Sequence, residues 1–315
     1  MDKNFDIIIP CFNESRVIGE CVKQLENFNL KRQSPVYLSI ILVDDGSTDN
    51  TWKIINSFTP TSLVRFKRAR LSRNFGHQSA LFCGFGFSTA NIVGVIDADL
   101  QDPVPVLFEM FDALVASPEV DVFYGQRITR AGESFFKKIT ARVFYRIVRS
   151  MSESEINIDA GDFRVMRSNV IEQLLKLGEY HIFTRGLVPW VGFNQQPHQY
   201  DRAPRFAGET KYTLAKMLRL ARNGIFSFSL APLHLLLAIG AAVSFLSVFF
   251  IVYSLFYRIF GDYWVPGWTL MFTFTSFLLG VTIMSIAIVG QYVGLIFEQV
   301  KGRPLYIISE TKCDE

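Results

Sequence analysis

The chain has 315 residues, half of them hydrophobic, and a net charge of only +3. That composition excludes a disordered chain, and the near balance of charge excludes wholesale nucleic-acid binding, so no nucleic-acid partner is expected. The charge is unevenly spread, however: no Asp, Glu, Lys or Arg lies between Arg222 and Arg258, nor between Asp262 and Glu298.

In chain order, short apolar runs alternate with amphipathic stretches up to about residue 210. "FDIIIP" reads as a strand and is followed by a helix from Glu14 to Phe28. "YLSIILV" is a second strand, with a helix after "DDGSTDN". "SLVRF" reads as a third strand, "GHQSALFCGFGFSTA" as a helix, and "NIVGVID", "VDVFYGQ" and "FRVM" as later strands. This alternation implies a mostly parallel sheet with helices on both faces, an α/β fold of Rossmann-like type. Ligands of such sheets collect beyond the carboxyl ends of the strands. "PCFNES", "DDGSTD" and "DADLQD" each follow an expected strand, so they should meet on one rim.

Further on, "TLAKMLRLARNGIF" places Leu214, Met217, Leu218, Ala221 and Ile225 at helical spacing, with Lys216, Arg219 and Arg222 elsewhere on the wheel. It reads as an interfacial helix within residues 211–230. Each charge-free gap then holds the roughly 20 apolar residues that one membrane span needs. Two spans with a short outer loop are expected over residues 231–298. Cations before the first span and after the second (Lys301, Arg303) put both flanks in the cytoplasm. The protein is therefore expected to be multi-pass in the plasma membrane, with residues 1–210 cytoplasmic. Residues 299–315 form a cytoplasmic tail that could add a strand to a neighbouring copy and favour a tetramer. The four cysteines show no metal-binding spacing and read as free thiols.

"DADLQD" is the most chemical stretch. In an extended strand end, residues two apart point the same way, so Asp97, Asp99 and Gln101 can offer oxygens to one side. Such a set suits Mg²⁺ or Mn²⁺, which keep positions for water and substrate phosphates. Taken alone, the stretch is equally a solvated acidic turn. In "DDGSTDNT", Asp44 and Asp45 can accept from a ribose or a base N–H, while Ser47, Thr48 or Asp49 can cap the next helix. Asn13 suits an N-cap, and Pro10 ends the first strand. The G-x-G-x-x-G of a dinucleotide-binding turn is absent.

Together with "LSRNFGHQSAL", "YGQR", "DAGDFRVM", "TRGLVPWVGF", "RFAGETKY" and "GQYVGLIFEQVKGRPLYI", these motifs resemble glycosyltransferase family 2 in its polyprenyl-phosphate branch. The resemblance implies a GT-A fold on residues 1–210 and inverting transfer of a hexose, with UDP-glucose the favoured donor, to polyprenyl phosphate. It implies that Pro10, Phe12, Asn13, Glu14, Asp44 and Asp45 hold the nucleoside. Asp97 would lie near ribose and metal, and Asp99 and Gln101 would be metal ligands. Arg127, Arg205 and Lys211 would grip the lipid phosphate. Asp162 matches the position of the proposed catalytic base, although it could instead orient the acceptor or sugar, or counter Arg164. A processive polysaccharide synthase would carry Q-x-x-R-W and more spans. A non-catalytic membrane scaffold would have no need of the metal acids.

Overall fold

The computed structural model describes residues 4–128, 160–180, 182–201 and 267–314, with isolated helical positions between 233 and 260. Strands β1 (Asn4–Cys11), β2 (Tyr37–Asp44), β3 (Val64–Leu71) and β4 (Ile92–Val95) lie parallel in the order β4-β1-β2-β3. Beyond β4 come β6 (Ala160–Arg167), β5 (Val122–Arg127) and β7 (Gln195–Tyr200), and β8 (Ile308–Cys313) lies outside β3. Of these eight strands, β6 and β8 run against the others.

The strands are apolar on both sides because both sides are covered. In β1, Phe5, Ile7, Ile9 and Cys11 face one core and Ile8 faces the other. The first face is covered by α1 (Ile18–Lys31), α2 (Thr51–Ile55) and α4 (Val104–Ala116), through residues such as Leu25, Ile55 and Phe108. The second is covered by α3 (His77–Phe87), α5 (Ser168–Lys176) and α6 (Thr184–Trp190), through Leu81, Leu174 and Leu187. Burying each such aliphatic or aromatic side chain contributes roughly 1.5–3 kcal/mol. Within "GFGF", a side chain at Gly84 would collide with Ile8, so this glycine lets α3 press onto β1.

Several boundaries differ from the sequence expectation, each for a local reason. Pro10 lies inside β1 and does not end it. The carbonyl of Ile8 accepts from Ile96 on the β4 side. Two residues on, Pro10 faces the same side, where β4 has stopped at Val95, so its missing N–H breaks no ladder bond. Helix α1 starts at Ile18 and not at Glu14, without a side-chain cap. The amides of Asn13, Glu14 and Ser15 are instead taken by Ser47, Thr51 and Asp49. Asn13 is thus not an N-cap.

Strand β3 runs well past "SLVRF", through charged residues, because those residues find partners. Arg68 is 1% exposed; it donates to the carbonyls of Ile55 (3.1 Å) and Phe58 (2.8 Å) and pairs with Asp314 at 2.7 and 3.2 Å. The tail forms strand β8, which pairs with β3 of its own chain. Asp314 also accepts from the amide of Phe66 at 3.1 Å. Burial opposes its ionisation, but Arg68 outweighs burial and holds the carboxyl below the usual range. Asp314→Ala would leave a buried guanidinium without its counter-charge, at a cost of about 3 kcal/mol that a lowered Tm would register. In the wild type the same stability is present above the ordinary carboxylate pKa and is lost as pH falls below it.

Helix α7 (Trp268–Val300) leads into that tail. Its segment Phe277–Val300 is 24 residues long, apolar and not buried. At 1.5 Å per residue it spans about 36 Å, enough for a hydrocarbon core of about 30 Å. Among the described residues it is the one helix long and apolar enough to cross a membrane. The described positions between 233 and 260 are helical, but most of the expected first span lies outside the described residues. The interfacial helix of 211–230, the outer loop, Arg205 and Lys211 lie outside them as well.

Candidate active site

The sheet brings the expected motifs to one rim. The carboxyl ends of β1, β2 and β4 deliver Phe12, Asp44–Asp45 and Asp97. β6 runs the other way, so it brings its amino end to the same place. Val95 pairs with Arg164; two residues beyond that pair, Asp97 and Asp162 stand on facing strand ends. The carboxyl ends of β5 and β7 add Arg127 and Tyr200.

On the β1–β2 side two loops are latched together. Asn13 adopts φ 56°, a left-handed conformation that asparagine tolerates. Its Oδ1 accepts from the amide of Thr48 at 2.9 Å. Gly46 has φ 67°, and a Cβ there would lie 2.5 Å from the carbonyl carbon of Arg73, so only glycine fits this turn. Asp44 is fully buried. Its Oδ1 accepts from the amide of Ser47 (3.1 Å), while Oδ2 lies 3.3 Å from Arg70 Nε without a hydrogen bond. Burial pushes this carboxyl up, against the opposing pull of Ser47 and Arg70. Asp45 is also buried and raised by burial, and its two oxygens accept from the amides of Phe75 (2.7 Å) and Gly76 (2.9 Å). It therefore ties the loop ahead of α3 to the rim. Phe12 is 37% exposed at the mouth, and Glu14 stands beside it on the latch.

The acidic turn is strained and braced. Leu100 has φ 58°, a conformation costing a non-glycine residue about 1–2 kcal/mol. Asp99 Oδ1 accepts from the amide of Gln101 at 3.1 Å. Asp102 points away from solvent, and Tyr200 donates its hydroxyl to it at 2.5 Å. Arg127 Nε in turn donates to the Tyr200 oxygen at 3.3 Å. Burial and the charge of Asp102 push the phenol up to about 12. The third acid of "DADLQD" is thus a brace. Asp97 remains at the opening, its carboxyl raised by desolvation and by Asp102, Asp162 and Asp99, with His77 opposing.

Among the described residues no three His, Cys, Asp or Glu side chains form a metal cluster by themselves. The turn offers a different kind of donor set. Gln101 Oε1 is buried with no hydrogen-bond partner, and Asp97 and Asp99 precede it at alternate positions. Oxygen donors of this type fit a hard divalent cation that completes its shell with water and phosphate.

Asp162 is the most heavily coordinated acid of the rim. It is 6% exposed and accepts from Thr184 Oγ1 at 2.5 Å, Arg185 at 3.3 Å and Gln78 Nε2 at 3.4 Å. His77 Nε2 lies 3.5 Å away and Arg164 at 4.0 Å. Burial opposes its charge, but Arg185, His77 and Arg164 outweigh burial and hold the carboxyl far below the usual range. His77 also lies 3.8 Å from Asp97, so it bridges the two acids. Desolvation pulls the imidazolium down, yet the hydrogen bond to Asp162 and the charges of Asp97 and Asp162 lift it to about 9.

Of the expected site residues, those in the described part gather at this rim, with Pro10 just inside β1. From the sequence alone, only Arg164 is paired with Asp162. His77 and Gln78 lie in "LSRNFGHQSAL", and Thr184 and Arg185 in "TRGLVPWVGF". Both motifs stood out, but only the fold shows that they converge on one carboxylate.

Comparison with known proteins identifies the family. The Glycosyl transferase family 2 profile matches residues 6–175. The chain is 38% identical over 309 residues to the uncharacterized glycosyltransferase YkcC of Bacillus subtilis, covering 98% of this chain and 94% of that one. It is 34% identical over 309 residues to the SfII prophage-derived bactoprenol glucosyl transferase of Shigella flexneri, covering 97% of each chain. It is 31% identical over 306 residues to the prophage bactoprenol glucosyl transferase homolog of Escherichia coli K12, covering 97% of this chain and 98% of that one. With a matching profile over more than half its length and relatives aligned almost end to end, the chain belongs to glycosyl transferase family 2.

Proposed function

We propose that the protein transfers a hexose from a nucleotide sugar, with UDP-glucose the favoured donor, to polyprenyl phosphate at the cytoplasmic face of the plasma membrane. The observation that carries this reading is the meeting, on one rim, of an acidic turn with an unsatisfied oxygen and a pocket ringed by Arg164, Arg185 and His77. The relatives named as bactoprenol glucosyl transferases support a polyprenyl acceptor and a glucosyl donor. The apolar helix α7, followed by Lys301 and Arg303, supports a membrane anchor with its tail inside. The reading includes a second span before α7. It also includes a homo-oligomer with a tetramer as the expected form, which the fully exposed edge of β8 supports.

In this reading Pro10, Phe12, Asn13, Glu14 and Asp45 shape the nucleoside cleft, and the buried Asp44 backs it by holding the Ser47 turn and Arg70. Bound Mg²⁺ or Mn²⁺, held by Asp97, Asp99 and Gln101, would stabilise the charge developing on the departing diphosphate. Arg127, with Arg205 and Lys211, grips the acceptor phosphate; an arginine fork suits two phosphate oxygens at once. Direct attack by a phosphate oxygen on the anomeric carbon inverts it. A phosphate monoester has a second pKa near 6, so it arrives largely as a dianion. A carboxylate held as strongly ionised as Asp162 is a weak proton acceptor, and such a nucleophile needs none. Asp162 therefore orients the surrounding cations toward the reacting phosphate and sugar.

The test is incubation of membranes carrying the protein with Mn²⁺, polyprenyl phosphate and labelled nucleotide sugars. Organic-extractable label, dependent on the added polyprenyl phosphate, is the expected result. A long water-soluble product would point to a processive synthase, and no product with any donor would point to a scaffold.

A further inference from the structure

The inner end of α7 is fastened to the catalytic domain at two places, and both lead to Asp162. The first is Gln299. Its side-chain Oε1 accepts from the amide of Tyr180 at 2.9 Å, and its Nε2 donates to the carbonyl of Gly178 at 2.8 Å. One amide side chain thus grips a backbone segment from both sides, as a neighbouring strand would. That segment begins where α5 ends. Gly178, at φ 62°, takes the left-handed turn that closes the helix. A few residues later the chain enters α6, whose first two residues are Thr184 and Arg185, both on Asp162.

The second fastening follows directly in sequence. Leu305 and Tyr306 pack against the core beneath α3, with the Tyr306 hydroxyl beside Gly86. The carbonyl of Ile307 then accepts from the amide of Ser72 at 2.8 Å. α3 is the helix that presents His77 and Gln78 to Asp162. α5 packs against both α3 and α6. The membrane helix therefore stands on the elements that carry four partners of Asp162.

Gln299 is the penultimate residue of α7, at the inner end of the apolar segment. An amide there lies at headgroup level, where a lipid phosphate would sit. We propose that Gln299 is a positioning residue that holds the Asp162 pocket at a fixed height over the plane of lipid phosphates. The proposal rests on the polyprenyl-phosphate reading above. It goes further by naming the joint through which the anchor serves that site.

A positioning role of this kind separates acceptors by where they reside. Full-length wild-type protein, Gln299→Ala and Gln299→Glu are reconstituted in phospholipid vesicles. Each is assayed with a long-chain polyprenyl phosphate embedded in the bilayer and with a short water-soluble prenyl phosphate. Gln299→Ala is expected to raise KM for the embedded acceptor about tenfold, the worth of one or two net hydrogen bonds, while kcat/KM for the soluble acceptor stays within about twofold. Gln299→Glu keeps the acceptor for Tyr180 but sets a carboxylate against the Gly178 carbonyl, so it should show the same split. Equal losses on both acceptors, or none on either, would overturn the proposal. Amide exchange supplies a readout independent of turnover. The Tyr180 amide should exchange faster in Gln299→Ala, and unchanged exchange would also overturn it. A wild type that labels no polyprenyl phosphate sinks the functional reading instead, and the exchange result then still decides whether the joint exists.

Discussion

Asp162→Asn should lower the rate of sugar transfer by about 10²–10³-fold, the scale on which placed charges act in active sites. The substitution keeps the shape of the side chain and removes its charge. Thr184 and Gln78 can still bond to the amide, so α3 and α6 stay close. Arg164, only 3% exposed, and Arg185 lose the anion that orients them. The loss should fall mainly on kcat, and raising the pH should not restore it, because no missing proton acceptor is being replaced. A second readout comes from the metal-free protein. His77 should titrate near 9 in the wild type and move back toward the ordinary histidine value of about 6.5 in the variant. The sign for stability follows from the raised value. The His77 contribution is complete below about 6.5 and is lost as pH rises through about 9. An unchanged His77 titration in Asp162→Asn would refute the pocket described here. A full rescue of turnover at high pH would return Asp162 to the role of base.

Asp99→Ala should abolish transfer to a similar degree while the protein remains in the membrane fraction. Asp99 is half-buried in the acidic turn, and its Oδ1 accepts from the amide of Gln101. Losing that bond costs about 1 kcal/mol, and an unchanged Tm of the variant would separate a loss of activity from a loss of fold. The discriminating measurement is titration of Mn²⁺ into protein with UDP present. The wild type should show saturable binding of the ion, and the variant should show it weakened at least about tenfold, as expected when a hard cation loses one of few protein oxygens. Retained turnover with retained ion binding would remove Asp99 from the metal set.

The strands were easy to read, because "FDIIIP", "YLSIILV" and "NIVGVID" are buried on both faces and show as plain apolar runs. Their ends were legible too, since "DDGSTD" and "DADLQD" follow those runs directly. β3 was harder. Its Arg68 looks like a surface residue until Asp314, nearly 250 positions away, comes into place beside it. The α1 boundary misled for the same reason: the amides near Asn13 are satisfied by side chains of another loop. Helix α4 was not read from the sequence, because only Glu109 and Asp112 mark its exposed stripe in an otherwise apolar stretch. The surroundings of Asp162 were the least accessible. Four motifs separated by up to a hundred residues meet there, and no local spacing records that they do.

The position of β8 has a consequence for biogenesis. The edge of the sheet and the counter-charge for Arg68 are supplied by residues that follow the apolar segment of α7 in the chain, so they are synthesised after it. A nascent chain therefore carries an uncompensated guanidinium and an open sheet margin until β8 and Asp314 have been made. A copy that stalls after α7 and before β8 is left with an unfinished sheet, a natural target for quality control.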